Sequence, residues 1–119
     1  MVYNDMSNLI KSNNRNIVVL SSLWQTYVKA EQIIRLCTNI GLNIEGSINN
    51  KPTFSDLYSI QSNAIDGFIA LSNINIDDTN IYETMTNMMS HLYHKYEDHE
   101  IFDNEMLNEC ETKYGIIFN

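Results

Sequence analysis

His91, His94 and Asp98 recur at i, i+3 and i+7, a spacing that puts two imidazoles and a carboxylate on one helix face. Such a trio could ligate a first-row transition ion, for which these donors are suited. On a helical wheel, however, it lies opposite Met85, Met88 and Leu92. The expectation is therefore a solvated face, with no metal and no cofactor. No second segment offers the ExxH pair that a di-iron bundle requires. Seven carboxylates follow closely, from Glu97 and Asp98 through Glu100, Asp103, Glu105 and Glu109 to Glu111. Paired carboxylates do acid–base chemistry when burial raises the pKa of one of them, but polar residues surround most of these. What remains is a solvated face or an acidic contact surface. In the second case Asp98, Glu100, Asp103, Glu105, Glu109 and Glu111 are the candidate partner-binding residues.

Other chemistry finds little support. The chain has no GxSxG elbow, P-loop, GxGxxG or HExxH, the short patterns that accompany common catalytic sites. Cys37 and Cys110 form no CxxC or metal spacing and read as two unpaired thiols. Cys37 falls on an apolar helix face, where it is a poor nucleophile. The chain is expected not to be an enzyme.

Charge is unevenly spread. Residues 1–53 carry five basic side chains and three acidic ones, whereas residues 54–119 set Lys95 and Lys113 against twelve acids, a net −10. That balance argues against direct contact with a nucleic-acid backbone, which needs clustered Lys and Arg. It suits a basic protein partner. No apolar run approaches the ~20 residues of a membrane span, and the start MVYNDMSNLIKSNN lacks the basic and apolar blocks of a secretion signal. No membrane association and an intracellular location, cytoplasmic or in a host's cytoplasm, are expected. Frequent Asn and Ile, both spelled by A/T-rich codons, suggest a low-GC genome such as that of a phage or virus.

The elements that must position these residues are helical. Asn16 to Ile40 contains neither Pro nor Gly. Leu20, Leu23, Tyr27, Ala30, Ile34 and Cys37 recur at helical spacing, Val19, Ile33 and Ile40 widen the stripe, and Ser21, Gln25, Lys29 and Gln32 form a narrow polar face. A band that broad calls for neighbours on several sides, so this is read as the central helix. Gly41 can end it. A short helix is expected around Val2–Ile10, and a packed loop over 41–53 ending at Pro52.

The next helix starts at a Thr53 or Ser55 cap and buries Leu57, Ile60, Ala64, Phe68 and Leu71, with Gly67 at a close helix contact. Asp77, Asp78 or Thr79 should cap a further helix over about 80–97, packed through Ile81, Met85, Met88, Leu92 and Tyr96. The last helix, about 101–113, uses Phe102, Met106, Leu107 and Cys110 and stops at Gly115. The apolar tail Ile116–Phe118 should fold back on the core. The whole is one all-α domain over 1–119, a small bundle of four to five helices around a long central one.

Locally, Ile40-Gly41-Leu42, Glu45-Gly46, Asn50 and Thr53-Phe54 resemble a segment of the small helical anti-sigma factor of T-even phages. The pattern is generic helix–Gly–loop–cap chemistry and is confined to this segment, so no family is assigned from it.

The function expected from these features is a non-enzymatic protein-binding module, a phage or viral inhibitor or adaptor whose acidic C-terminal surface meets a basic host protein. One alternative is a structural protein that forms a homodimer through apolar helix faces and the tail. A weaker one is a small-ligand site around Lys29, Arg35 and the 41–53 loop. For the His91–His94–Asp98 face, elemental analysis of protein purified without added metal should return no stoichiometric zinc or iron. One equivalent, lost in His91→Ala, would overturn that.

Overall fold

The computed structural model describes residues 17–39, 53–74 and 80–119. Four helices form among them: α1 (Ile17–Asn39), α2 (Phe54–Leu71), α3 (Ile81–Tyr96) and α4 (Asn104–Tyr114). The architecture is an all-α bundle. The expected helix at 2–10, the Gly41 stop and the loop over 41–52 lie outside the described residues.

The helix ends follow their local chemistry. Thr53 caps α2 in a full capping box: its hydroxyl accepts from the Asp56 amide, and the Asp56 carboxylate accepts from the Thr53 amide. Two of the four orphan N–H groups of a helix start are thereby used or reciprocated. Asp103 caps α4 by accepting from Met106 N–H at 3.0 Å. Asn80 stands at the N-cap position of α3 without a side-chain cap bond; the expected caps Asp77, Asp78 and Thr79 lie outside the described residues.

α1 and α2 run antiparallel, with Leu57 against Ala30 and Ile34 at one end and Gly67 against Leu23 further along. A Cβ on Gly67 would come within 2.7 Å of Leu23 Cδ2; the glycine lets the two helices approach. The expected stripes are buried at Leu20, Tyr27, Ala30, Ile34 and Cys37 of α1 and at Leu57, Ala64 and Phe68 of α2, and they differ from the expectation at their edges. On α1, Trp24 and Val28 are buried, Ser21 is buried with them, and Val19 and Ile33 are exposed. On α2, Ile60 is exposed while Gln61 and Ile65 are buried. The apolar positions of α2 run 57, 64, 65, 68, so position 61 falls within the buried stripe. Gln61 is accommodated because its amide donates to Glu31 Oε1 at 2.9 Å, which meets the requirement that a buried polar group find a partner.

The methionine-rich face of α3 is core: Met85, Met88, Met89 and Leu92 have no exposure. Leu20 and Trp24 of α1, Phe68 of α2, Met106 and Cys110 of α4, and Ile116 and Phe118 of the tail share the same apolar cluster. Both cysteines are buried, and neither forms a disulfide among the described residues. The chain returns to this core through Gly115, which takes the left-handed conformation (φ 67°). Gly115 N–H donates to Glu111 O and Ile116 N–H to Cys110 O, each at 3.1 Å, closing the helix in the manner common for a left-handed glycine. The turn drives Ile116 and Phe118 inward. Asn73 N–H donates to Ile117 O at 2.7 Å and Asn119 N–H to Leu71 O at 2.8 Å, so the tail is stitched to the end of α2. Ile117, between two buried neighbours, points outward.

The tail therefore belongs to the chain's own core. Phe118→Ala should cost about 3–5 kcal/mol in urea unfolding, the range for a buried aromatic. Ile117→Ala should stay within about 0.5 kcal/mol, as surface changes do. Equal effects would mean that the tail is wrongly placed.

Candidate functional site

The segment that joins α3 to α4, residues 97–103, is where α1 meets the acidic part of the chain. Trp24 Nε1–H donates to His99 O at 2.8 Å. Gln25 Nε2 donates to Glu100 O at 3.0 Å. Phe102 N–H donates to Ser21 Oγ at 3.0 Å. Three side chains of α1 thus hold the backbone of the connector. Ser21 and Gln25, expected on a solvated face, serve instead as its hydrogen-bond partners. Phe102 lies just before α4 and inserts between the helices, its ring 5.4 Å from Phe68, 5.8 Å from Phe118 and 6.2 Å from Trp24 between centroids.

Beside this contact lies a cleft of about 330 Å³, lined by Trp24, Gln25, Val28, Lys29 and Gln32 of α1 and by Glu97 to Glu100 of the connector. The lower, polar part of α1 forms one wall and the acidic connector the other. His99 is fixed within it: its backbone N–H donates to Tyr96 O at 2.8 Å, its Nδ1 lies 3.0 Å from Asp103 Oδ2, and its ring packs edge-on to Tyr96 at 5.0 Å.

The six acidic candidates have unlike surroundings. Asp98 and Glu100 are exposed and line the cleft. Asp103 serves as helix cap and His99 partner. Glu105 and Glu111 are exposed on α4. Glu109 is half-buried between α3 and α4, with His91 Nε2 at 3.0 Å on one carboxylate oxygen and the Lys95 ammonium on the other. Burial works to raise the Glu109 pKa, but the bonds from Lys95 and His91 outweigh it and hold the carboxyl below its ordinary range. His91 is thus turned to Glu109, while His94 is exposed beside Tyr93. Among the described residues no group of three or more His, Cys, Asp or Glu side chains is placed to hold a metal ion.

Arg35 and Lys29 do not share a site. Arg35 pairs with Glu31 at 2.8 Å and stacks its guanidinium 4.9 Å over the Tyr93 ring. Tyr27, beside that pair, is pushed up to about 12 by burial and then by the Glu31 charge. Lys29 faces the cleft.

No family model, curated protein or solved structure matches the chain. None of the described helices is long and apolar enough to cross a membrane.

Two measurements check this geometry. Ser21→Ala leaves the buried Phe102 N–H without its acceptor and should cost about 1–3 kcal/mol; a change near zero would show that water or another group replaces the hydroxyl. Glu109 has a lowered pKa in the folded chain, so its stabilisation is present above the unfolded glutamate value and lost as pH falls through the folded one. The stability difference between wild type and Glu109→Gln should shrink as pH falls below 4.5, the ordinary glutamate value. A difference independent of pH would contradict the ion pair.

Proposed function

We propose that the chain is a non-enzymatic protein-binding module that meets a basic protein through the acidic surface of the connector and α4. The observation that carries this reading is exposed negative charge. Asp98, Glu100, Glu105 and Glu111 are all exposed, and the second half of the chain has only Lys95 and Lys113 to offset twelve acids. Lys95 is taken by Glu109, and Lys113 lies over the Tyr114 ring at 5.9 Å. Of the six acidic candidates, Asp103 and Glu109 act inside the fold and support the surface without forming its contact points. The Asn- and Ile-rich composition adds a setting, an inhibitor or adaptor encoded by a phage or virus in a host cytoplasm.

Self-association is the second reading, and a specific feature favours it: Val18 and Leu36 are 64% and 60% exposed, and Tyr58 is 54% exposed. Such an interface would use the outer faces of α1 and α2. It would not use the tail, whose Ile116 and Phe118 are already buried.

The two readings separate kinetically once a partner has been recovered by pull-down and identified. Rim charges act mainly on association rate and salt dependence. Glu105→Lys with Glu111→Lys should slow association at 0.1 M salt and change it little at 1 M, where the Debye length has shrunk to about 3 Å. Glu109 is unsuitable for reversal because of its place between His91 and Lys95. Rates indifferent to both salt and reversal would remove the acidic surface as the contact and leave the apolar faces.

A further inference from the structure

The cleft between α1 and the connector carries charge of both signs that does not pair across it. Four cations are described: Lys29, Arg35, Lys95 and Lys113. Arg35 is engaged by Glu31 and Tyr93, Lys95 by Glu109 and Tyr96, and Lys113 by the Tyr114 ring. Lys29 alone among them has no described partner, although it lines the same cleft as Glu97, Asp98 and Glu100. In an acidic protein such a lysine would normally be drawn to a carboxylate. The two walls are held together by the Trp24 and Gln25 bonds to the connector backbone. Glu97 is partly committed, as hydrogen-bond partner of Tyr93. Asp98 and Glu100 have no described side-chain partner.

We propose that this cleft binds an arginine bearing a free α-carboxylate. The carboxylate meets the Lys29 ammonium, and the guanidinium meets Asp98 and Glu100 across the gap, where fork-shaped donors match carboxylates well. Cationic and anionic side chains on facing walls favour a ligand that carries a positive and a negative group, as an arginine with a free α-carboxylate does. The volume, about 330 Å³, lies at the small end of the range of about 300–1,000 Å³ for ligand clefts and fits one residue rather than a peptide segment. The arginine could be free or the C-terminal residue of the basic partner; in the second case the inference rests on the acidic-surface reading.

The full chain has a single tryptophan, whose indole N–H bonds to His99 O at the cleft, so one indole resonance reports on occupancy. The ¹⁵N-labelled protein is titrated with L-arginine, with acetyl-Ala-Ala-Arg and with the C-terminal amide of that peptide. Saturable shifts are expected with the peptide acid, with the amide about tenfold weaker for loss of one charge-assisted contact. Lys29→Gln should abolish the difference between acid and amide. Asp98→Asn with Glu100→Gln should weaken both. All three residues are exposed, so these variants keep the fold. A response to L-arginine as well identifies a free ligand; a response to the peptide acid alone identifies a chain terminus. No saturable shift with either, equal affinity for acid and amide, or an unchanged discrimination in Lys29→Gln overturns the proposal. Glu105→Lys with Glu111→Lys lies outside the cleft and should leave the titration unaltered, so failure of the arginine site and failure of the acidic surface are told apart.

Discussion

The backbone of residues 99–102 has no helix to satisfy its polar groups, and it lies against the core. Buried N–H and C=O groups left unpaired cost about as much as a lost hydrogen bond each, so another part of the chain has to supply partners. Ser21, Trp24 and Gln25 of α1 do so, across more than seventy residues of sequence. Each bond has a net worth of only about 0.5–1.5 kcal/mol. Their combined effect is to fix where the chain turns from α3 into α4. With that turn fixed, Phe102 is delivered among Trp24, Phe68 and Phe118, and α4 starts at the Asp103 cap one residue later.

The same contact arranges the charged surface. The connector brings Asp98 and Glu100 over the polar side of α1, opposite Lys29. α4, set in direction by the connector and tied to α3 through Glu109, His91 and Lys95, carries Glu105 and Glu111 outward. The acidic surface and the cleft are thus two consequences of one docking event. The tail closes the other side: the left-handed Gly115 reverses the chain, and the bonds of residues 117 and 119 to the end of α2 seal Phe118 beneath it.

Much of this was legible in the residues. Helical periodicity located all four described helices. Thr53 and Gly115 marked two boundaries, Gly67 marked the close contact between α1 and α2, and the methionines of α3 and the apolar tail declared themselves as core. The burial of Ser21, Trp24 and Val28 beside the expected stripe of α1 was not legible. A polar stripe of Ser21, Gln25, Lys29 and Gln32 reads as solvated because hydropathy cannot distinguish a side chain facing water from one facing a backbone that needs donors and acceptors. One signal was available: an indole N–H within an apolar helix face requires a partner when buried, and Trp24 adjoins that stripe. Gln61 was obscured for the same reason, since its partner Glu31 lies on a different helix. The distinct surroundings of Glu109 and Asp103 within one acidic run were equally hidden, because charge density along the chain carries no information about which carboxylate a helix pair encloses.

The central claim is that the connector is held as firmly as the core although it is not helical. Amide hydrogen exchange at Phe102 tests it most directly, because that N–H donates to Ser21 Oγ in a buried setting. Exchange of ordered loops exposed to water requires little opening, whereas core amides open only with much of the structure. The account predicts that the Phe102 amide exchanges as slowly as those of Met88 and Met89 in α3. Exchange as fast as that of an exposed loop would contradict it, and with it the docking on which the acidic surface and the cleft depend.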